Sequence, residues 1–176
     1  MKWTKTISLL SAALLAGLIL AGCGASDPAP LTLEKDFGLT VGGTWFPIHE
    51  DAAPLLAALG DDYELYAAPS CLFLGEDKEF DYDGVALFTN PDGDLDIWYL
   101  AAITSNAYET ARGIRIGSSQ EDLTAAYGEK YYWESDYEIV YSISGVQGDL
   151  ASPCIIFRLD GQEITAIDIY YPTNAN

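Results

Sequence analysis

The sequence predicts an α+β fold in which a short helix followed by an antiparallel sheet of three to four strands is repeated in tandem, with the helices on one face of each sheet. Three observations carry this reading. The apolar residues change twice along the chain from a helical repeat to strand alternation. The chain is self-similar at an offset of 68 residues, which places Ile48 on Ile116, Leu55 on Leu123, Gly60 on Gly128, Tyr63 on Tyr131 and Asp92-Gly93 on Asp160-Gly161. Each helical stretch also carries start and stop residues of its own.

Taken in order, residues 1–22 hold Lys2 and Lys5, an apolar run from Ile7 to Leu20, and then small residues. This is the pattern of a secretory leader, and the run is too short and too poorly flanked for a permanent span. It ends in Leu20-Ala21-Gly22-Cys23, which resembles the lipobox of bacterial lipoprotein signal peptides. The resemblance implies that Cys23 takes a thioether-linked diacylglycerol and becomes the mature N-terminus, anchored on the extracytoplasmic face of the cell membrane. Two acyl chains suffice for stable anchoring, at about 0.8 kcal/mol per buried methylene. Residues 23–36, "CGASDPAPLTLEKD", are small, polar and proline-containing, and read as a lipidated tether.

Residues 37–108 form the first expected repeat. Asp51 can cap a helix whose first turn tolerates Pro54, and "LLAAL" is closed by Gly60. Strands follow at "SCLFLG", "FDYDGVALFT" and "DLDIWYLAAI", with "NPDGD" as a turn. Residues 109–176 form the second. In "GIRIGSSQEDLTAAYG", Ser118 or Ser119 caps the helix with Glu121 or Asp122 completing a capping box, Leu123, Ala126 and Tyr127 form the apolar stripe, and Gly128 ends it. Strands follow at "YEIVYSIS", "PCIIFRL" and "EITAIDIYY", the last two joined by an Asp-Gly hairpin. By parity Tyr137, Ile139, Tyr141 and Ile143 share the inward face of their strand. Tyr131, Tyr132 and Trp133 precede that strand and read either as satellite core or as an exposed gripping surface.

Charge excludes one class of partner. The formal charge is −19, and removal of Lys2 and Lys5 with the leader leaves six basic residues against 27 acids, or −21. Nucleic-acid binding requires phosphates to be neutralised by Lys and Arg, so no nucleic-acid partner is expected. Once Cys23 is lipidated, Cys71 and Cys154 remain, either as a disulfide pair in an exported domain or as small apolar fillers. His49 is the chain's one histidine, so no histidine cluster for zinc exists and no metal or cofactor is expected. The acids Asp92, Asp94 and Asp96 lack the glycine and the bidentate glutamate of a calcium loop and suit a hairpin turn better. No catalytic constellation stands out, and the protein is read as a non-enzyme.

The lipobox, the capped "GIRIGSSQEDLTAAYG" helix, the aromatic strands and the Asp-Gly hairpin together resemble lipoproteins of anaerobic gut bacteria. At the level of architecture they are similar to the β-lactamase-inhibitor-protein-like fold and to small outer-membrane-assembly lipoproteins. The resemblance covers roughly residues 37–171 and implies a fold and a habit of binding proteins, without a target. The expectation is a membrane-anchored, non-catalytic protein-binding or envelope-assembly module, with Trp45, Trp98, Tyr132 and Trp133 as contact candidates because Trp and Tyr dominate interface hot spots. The alternatives are an inhibitor or sensor of a cell-wall enzyme, and a lipoprotein that captures glycans or small ligands.

Overall fold

Ser119 and Asp122 cap the second-half helix as their spacing implies. Ser119 Oγ accepts from the Asp122 N–H at 3.0 Å while an Asp122 carboxylate oxygen accepts from the Ser119 N–H at 3.0 Å. The Ser119 hydroxyl, donating to the same carboxylate at 2.6 Å, and then the Ser119 N–H hold the Asp122 carboxyl below its ordinary value. This chemistry sits in a computed structural model that describes residues 27–173. Leu20, Ala21, Gly22 and Cys23 lie outside the described residues. The elements run α1 (Leu33–Asp36), β1 (Gly38–Val41), β2 (Thr44–Pro47), α2 (Ala53–Leu59), β3 (Glu64–Pro69), β4 (Glu76–Tyr82), β5 (Val85–Asp92), β6 (Leu95–Ile103), α3 (Gln120–Tyr127), β7 (Tyr132–Ser135), β8 (Glu138–Ser142), β9 (Cys154–Asp160) and β10 (Glu163–Tyr170).

The expected α+β arrangement of two helix-covered sheets is overturned. The described chain is mostly β, with 13% helix. A ribbon of β1 and β2 stands beside one antiparallel sheet of eight strands in the order β3-β4-β5-β6-β10-β9-β8-β7. The reason lies in the middle of that order. Strand β6 ends one meander and β10 ends the other, and they pair antiparallel, Leu100–Ile103 against Ile167–Tyr170. Two separate sheets would leave those edges as unpaired N–H and C=O groups, which fusion satisfies.

The strand boundaries move for local reasons. "SCLFLG" is a bent loop, because Ser70 Oγ accepts from the N–H groups of Leu72 and Phe73 and turns the chain. The run "FDYDGVALFT" breaks at Gly84, whose φ of 87° makes the turn between β4 and β5. Strand β3, not expected from the sequence, is exposed along its whole length at the sheet edge.

Cross-strand register puts Phe80, Leu87, Ala101, Ile169, Ile155 and Tyr141 in one row on the inner face. Phe37, Leu39, Leu55, Leu123 and Tyr127, from the ribbon side and the helices, close over that face in one apolar core. Both longer helices end at a left-handed glycine, Gly60 and Gly128, with φ of 96° and 84°. In each half a tyrosine from the second strand after the helix donates to that glycine's carbonyl. Tyr82 reaches Gly60 at 3.1 Å and Tyr141 reaches Gly128 at 2.7 Å.

Residues 28–36 are docked rather than free, which corrects the expected tether. Arg112 donates from Nε to Asp36 Oδ1 at 2.7 Å and from Nη2 to the Ala29 carbonyl at 2.9 Å, and its guanidinium lies 4.9 Å from the Tyr127 ring centre. Leu31 and Leu33 pack against the core.

Candidate functional site

A sheet covered on one face must be read from its other face. Strand alternation turns Tyr66, Glu79, Phe88, Leu100, Tyr170, Cys154 and Ser142 outward in one cross-strand row. The neighbouring row carries Glu64, Asp81, Ala86, Ala102, Asp168, Ile156, Val140 and Tyr132. The apolar members Phe88, Leu100, Ile156 and Tyr170 are half-buried and sit on the middle strands, whereas Glu64, Glu79 and Asp81 lie toward the β3 side. Arg158 is the cation on this face among the described residues. Two carboxylates neutralise it, since its Nε donates to Glu138 Oε1 at 3.0 Å and its Nη2 to Asp168 Oδ2 at 2.7 Å. The face therefore has an apolar centre and an acidic margin, the layout of a protein interface with a desolvated core and a polar rim.

Two cavities open along it. The larger, about 580 Å³, is lined by Tyr132, Val140, Cys154, Ile156 and Tyr170 of the sheet and by Asp149, Leu150 and Ser152 of the loop between β8 and β9. Its thiol is not a nucleophile. Burial first, and the Asp168 carboxylate second, push Cys154 up to about 11, so it is a neutral S–H at physiological pH.

The smaller cavity, about 300 Å³, lies where the turn between β5 and β6, the chain after β10 and the residues before α2 meet. Its lining includes His49, Phe73, Asn90, Asp92, Tyr99 and Tyr171. The His49 and Tyr171 rings stack with centres 4.1 Å apart and planes 12° from parallel. His49 holds φ at 66°, a left-handed conformation rare outside glycine, fixed by its N–H donating to the Trp98 carbonyl at 2.9 Å. The Tyr171 N–H donates to the Tyr99 carbonyl at 2.8 Å, which ties the tail to the same strand. Burial raises the Tyr99 hydroxyl, with nearby Asp77 adding to the effect, so it stays a protonated donor.

The residues singled out in the sequence are scattered. Tyr132 reaches the outer face and lines the larger cavity. Trp133, 41% exposed, pairs with Ile139 on the inner side of the edge and meets the Tyr131 ring edge-on at 6.3 Å. Trp45 covers Gly38 in the ribbon, close enough that no side chain could replace that glycine. Trp98 is 1% exposed and belongs to the core, so it cannot touch a partner. It falls on the inner face because a bulge between Phe88 and Thr89 pairs Trp98 with Thr89. Cys71 and Cys154 are free. Cys71 precedes β4, and β4 stands four strand spacings from β9, roughly 19 Å, whereas a bridge needs Cα atoms within about 7 Å. Asp96 is engaged by Lys78 Nζ at 2.7 Å, and no group of three or more acidic, histidine or cysteine side chains able to hold a metal occurs among the described residues. Sequence reading missed Tyr99 and Tyr171, whose outward direction depends on the bulge and on the tail's course after β10.

Among the described residues no helix is long and apolar enough to cross a membrane. Comparison with family models, with characterised proteins and with solved structures returned no match.

Proposed function

We propose that the protein is a lipid-anchored, extracytoplasmic, non-catalytic module that binds a protein partner on the outer face of its eight-stranded sheet. One observation carries the reading. The helices and the ribbon close the inner face, while the outer face keeps an apolar centre of half-buried Phe88, Leu100, Ile156 and Tyr170 inside an acidic margin. Soluble domains rarely leave such a centre uncovered without a use for it. The formal charge of −19 makes a partner with a basic surface the complementary one. The anchor at Cys23 would confine the search for that partner to the membrane surface.

Site-specific photocrosslinking in cells tests the reading. A crosslinker at Leu100 should capture one or a few envelope proteins, and one at Ala125, exposed on α3, should not. Capture should weaken with salt, because exposed charges are screened beyond about 10 Å at 0.1 M. Equal capture from both positions, or none from Leu100, overturns the proposal. Capture of a cell-wall hydrolase or synthase would narrow it to an inhibitor or sensor.

A further inference from the structure

The cavity beside His49 is built differently from the rest of the outer face. Four aromatic rings line it, His49 stacked on Tyr171 together with Tyr99 and Phe73, beside Ile97 and two prolines. Its polar lining pairs the hydroxyls of Tyr99, Tyr171 and Thr173 with the side chains of Asn90 and Asp92. The Asn90 amide is turned by donating from Nδ2 to Asp77 Oδ1 at 2.8 Å, which leaves Asn90 Oδ1 buried with no hydrogen-bond partner. Its neighbours seal that atom from the cavity, so the accepting group open to a guest is a carboxylate. The exposed carboxylate of Asp92 stands at the same cavity, and its lining includes no Lys or Arg. Ring faces present negative potential, and a cation over them gains most when it also meets an anion. The backbone strain at His49 fits this picture, since a left-handed non-glycine residue persists where its surroundings hold a side chain in place.

We infer that this cavity receives one cationic side chain, lysine or arginine, of the partner docked on the outer face. The Asp92 carboxylate accepts from its N–H groups, and Tyr99, Tyr171 and His49 supply the ring faces. The inference rests on the reading of the outer face as a protein-binding surface and names the anchor residue of that partner. An acyl chain or neutral side chain would fit the rings but would leave the Asp92 carboxylate without a counter-charge.

The test uses the lipidated full chain in detergent micelles and the imidazole resonances of His49, unique because the chain has one histidine. The probes are N-acetyl-arginine amide, N-acetyl-lysine amide and the neutral N-acetyl-norleucine amide. The cationic probes should shift the His49 signals saturably, at least about tenfold more tightly than the neutral one, a ratio within the range of a partly desolvated cation over rings. Asp92→Asn should weaken the cationic probes about threefold or more, whereas Asp136→Asn, at an exposed turn on the other half, should leave them unchanged. Equal response to norleucine, equal effects of the two substitutions, or no saturable shift at all overturns the pocket. If that happens while Leu100 still crosslinks face-specifically, the binding module stands without this anchor. A selective response with no crosslinking leaves the pocket as a cation site and overturns the docking surface instead.

Discussion

Two tyrosines of the same aromatic cluster play opposite parts, and the hydroxyls separate them. Tyr141 and Tyr127 have ring centres 5.2 Å apart and both pack near Phe157. Tyr141 donates to the Gly128 carbonyl at the end of α3, at 2.7 Å. The Tyr127 hydroxyl is buried beside Thr110 without forming a full hydrogen bond, and burial pushes it up to about 12. Tyr141→Phe removes the donor and leaves a helix-terminal carbonyl unpaired, so it should cost about 1 kcal/mol. Tyr127→Phe removes a buried hydroxyl that makes no full hydrogen bond while keeping the ring under Arg112, so it should be neutral or stabilising. Urea denaturation of the two variants checks this, and the reverse order would show that the hydroxyls are misassigned. At this scale the sequence was legible where parity alone decides: Ile139 and Tyr141 are buried as alternation required. It was not legible at Tyr137 and Ile143, 57% and 41% exposed, because β8 ends before either and the chain turns away. Trp98 is a contact candidate for its residue type alone, and the bulge turns it to the inner face, where it is buried.

At the scale of elements, what ordered best was what local chemistry dictates. The capping box of α3 and the closing glycines follow from the N–H and C=O groups every helix leaves unpaired, and any such stretch must answer that need nearby. The course of residues 28–36 depended on Arg112, far along the chain, and no local pattern records that. Arg112 joins Asp36, the Ala29 carbonyl and the Ala126 carbonyl, so one side chain fastens the N-terminal segment to the end of α3. Asp36 is 4% exposed, and removing its partner leaves a buried carboxylate uncompensated. Arg112→Ala should therefore cost about 3 kcal/mol. Proteolysis should cut first between residues 27 and 37 in that variant, while the wild type resists there. A variant with unchanged stability and unchanged cleavage would show that the segment is held by Leu31 and Leu33 alone. If Cys23 carries the proposed lipid, a chain reach of at most about 18 Å separates it from the docked Pro28, and this clamp would also fix how the domain stands on the membrane.

The whole molecule turns on the pairing of β6 with β10, which no local pattern could have announced. Each half reads convincingly as its own sheet, since hairpins are written in neighbouring residues and a seam between strands more than 60 residues apart is not. The seam is short but dry: Ile103 pairs with Ile167 and Ala101 with Ile169, and all four are fully buried. Core residues of both halves form one cluster, so neither half can lose its packing without exposing the other. Unfolding should then be a single transition, with tryptophan fluorescence and far-ultraviolet circular dichroism falling together. Ile167→Ala, which removes three carbons from the seam, should lower stability by about 2–5 kcal/mol and keep the two probes coincident. If the probes separate in the wild type, the halves are independent folding units that merely touch. If they separate only in the variant, the seam is what joins them into one cooperative sheet, and the continuity of the outer face depends on those four side chains.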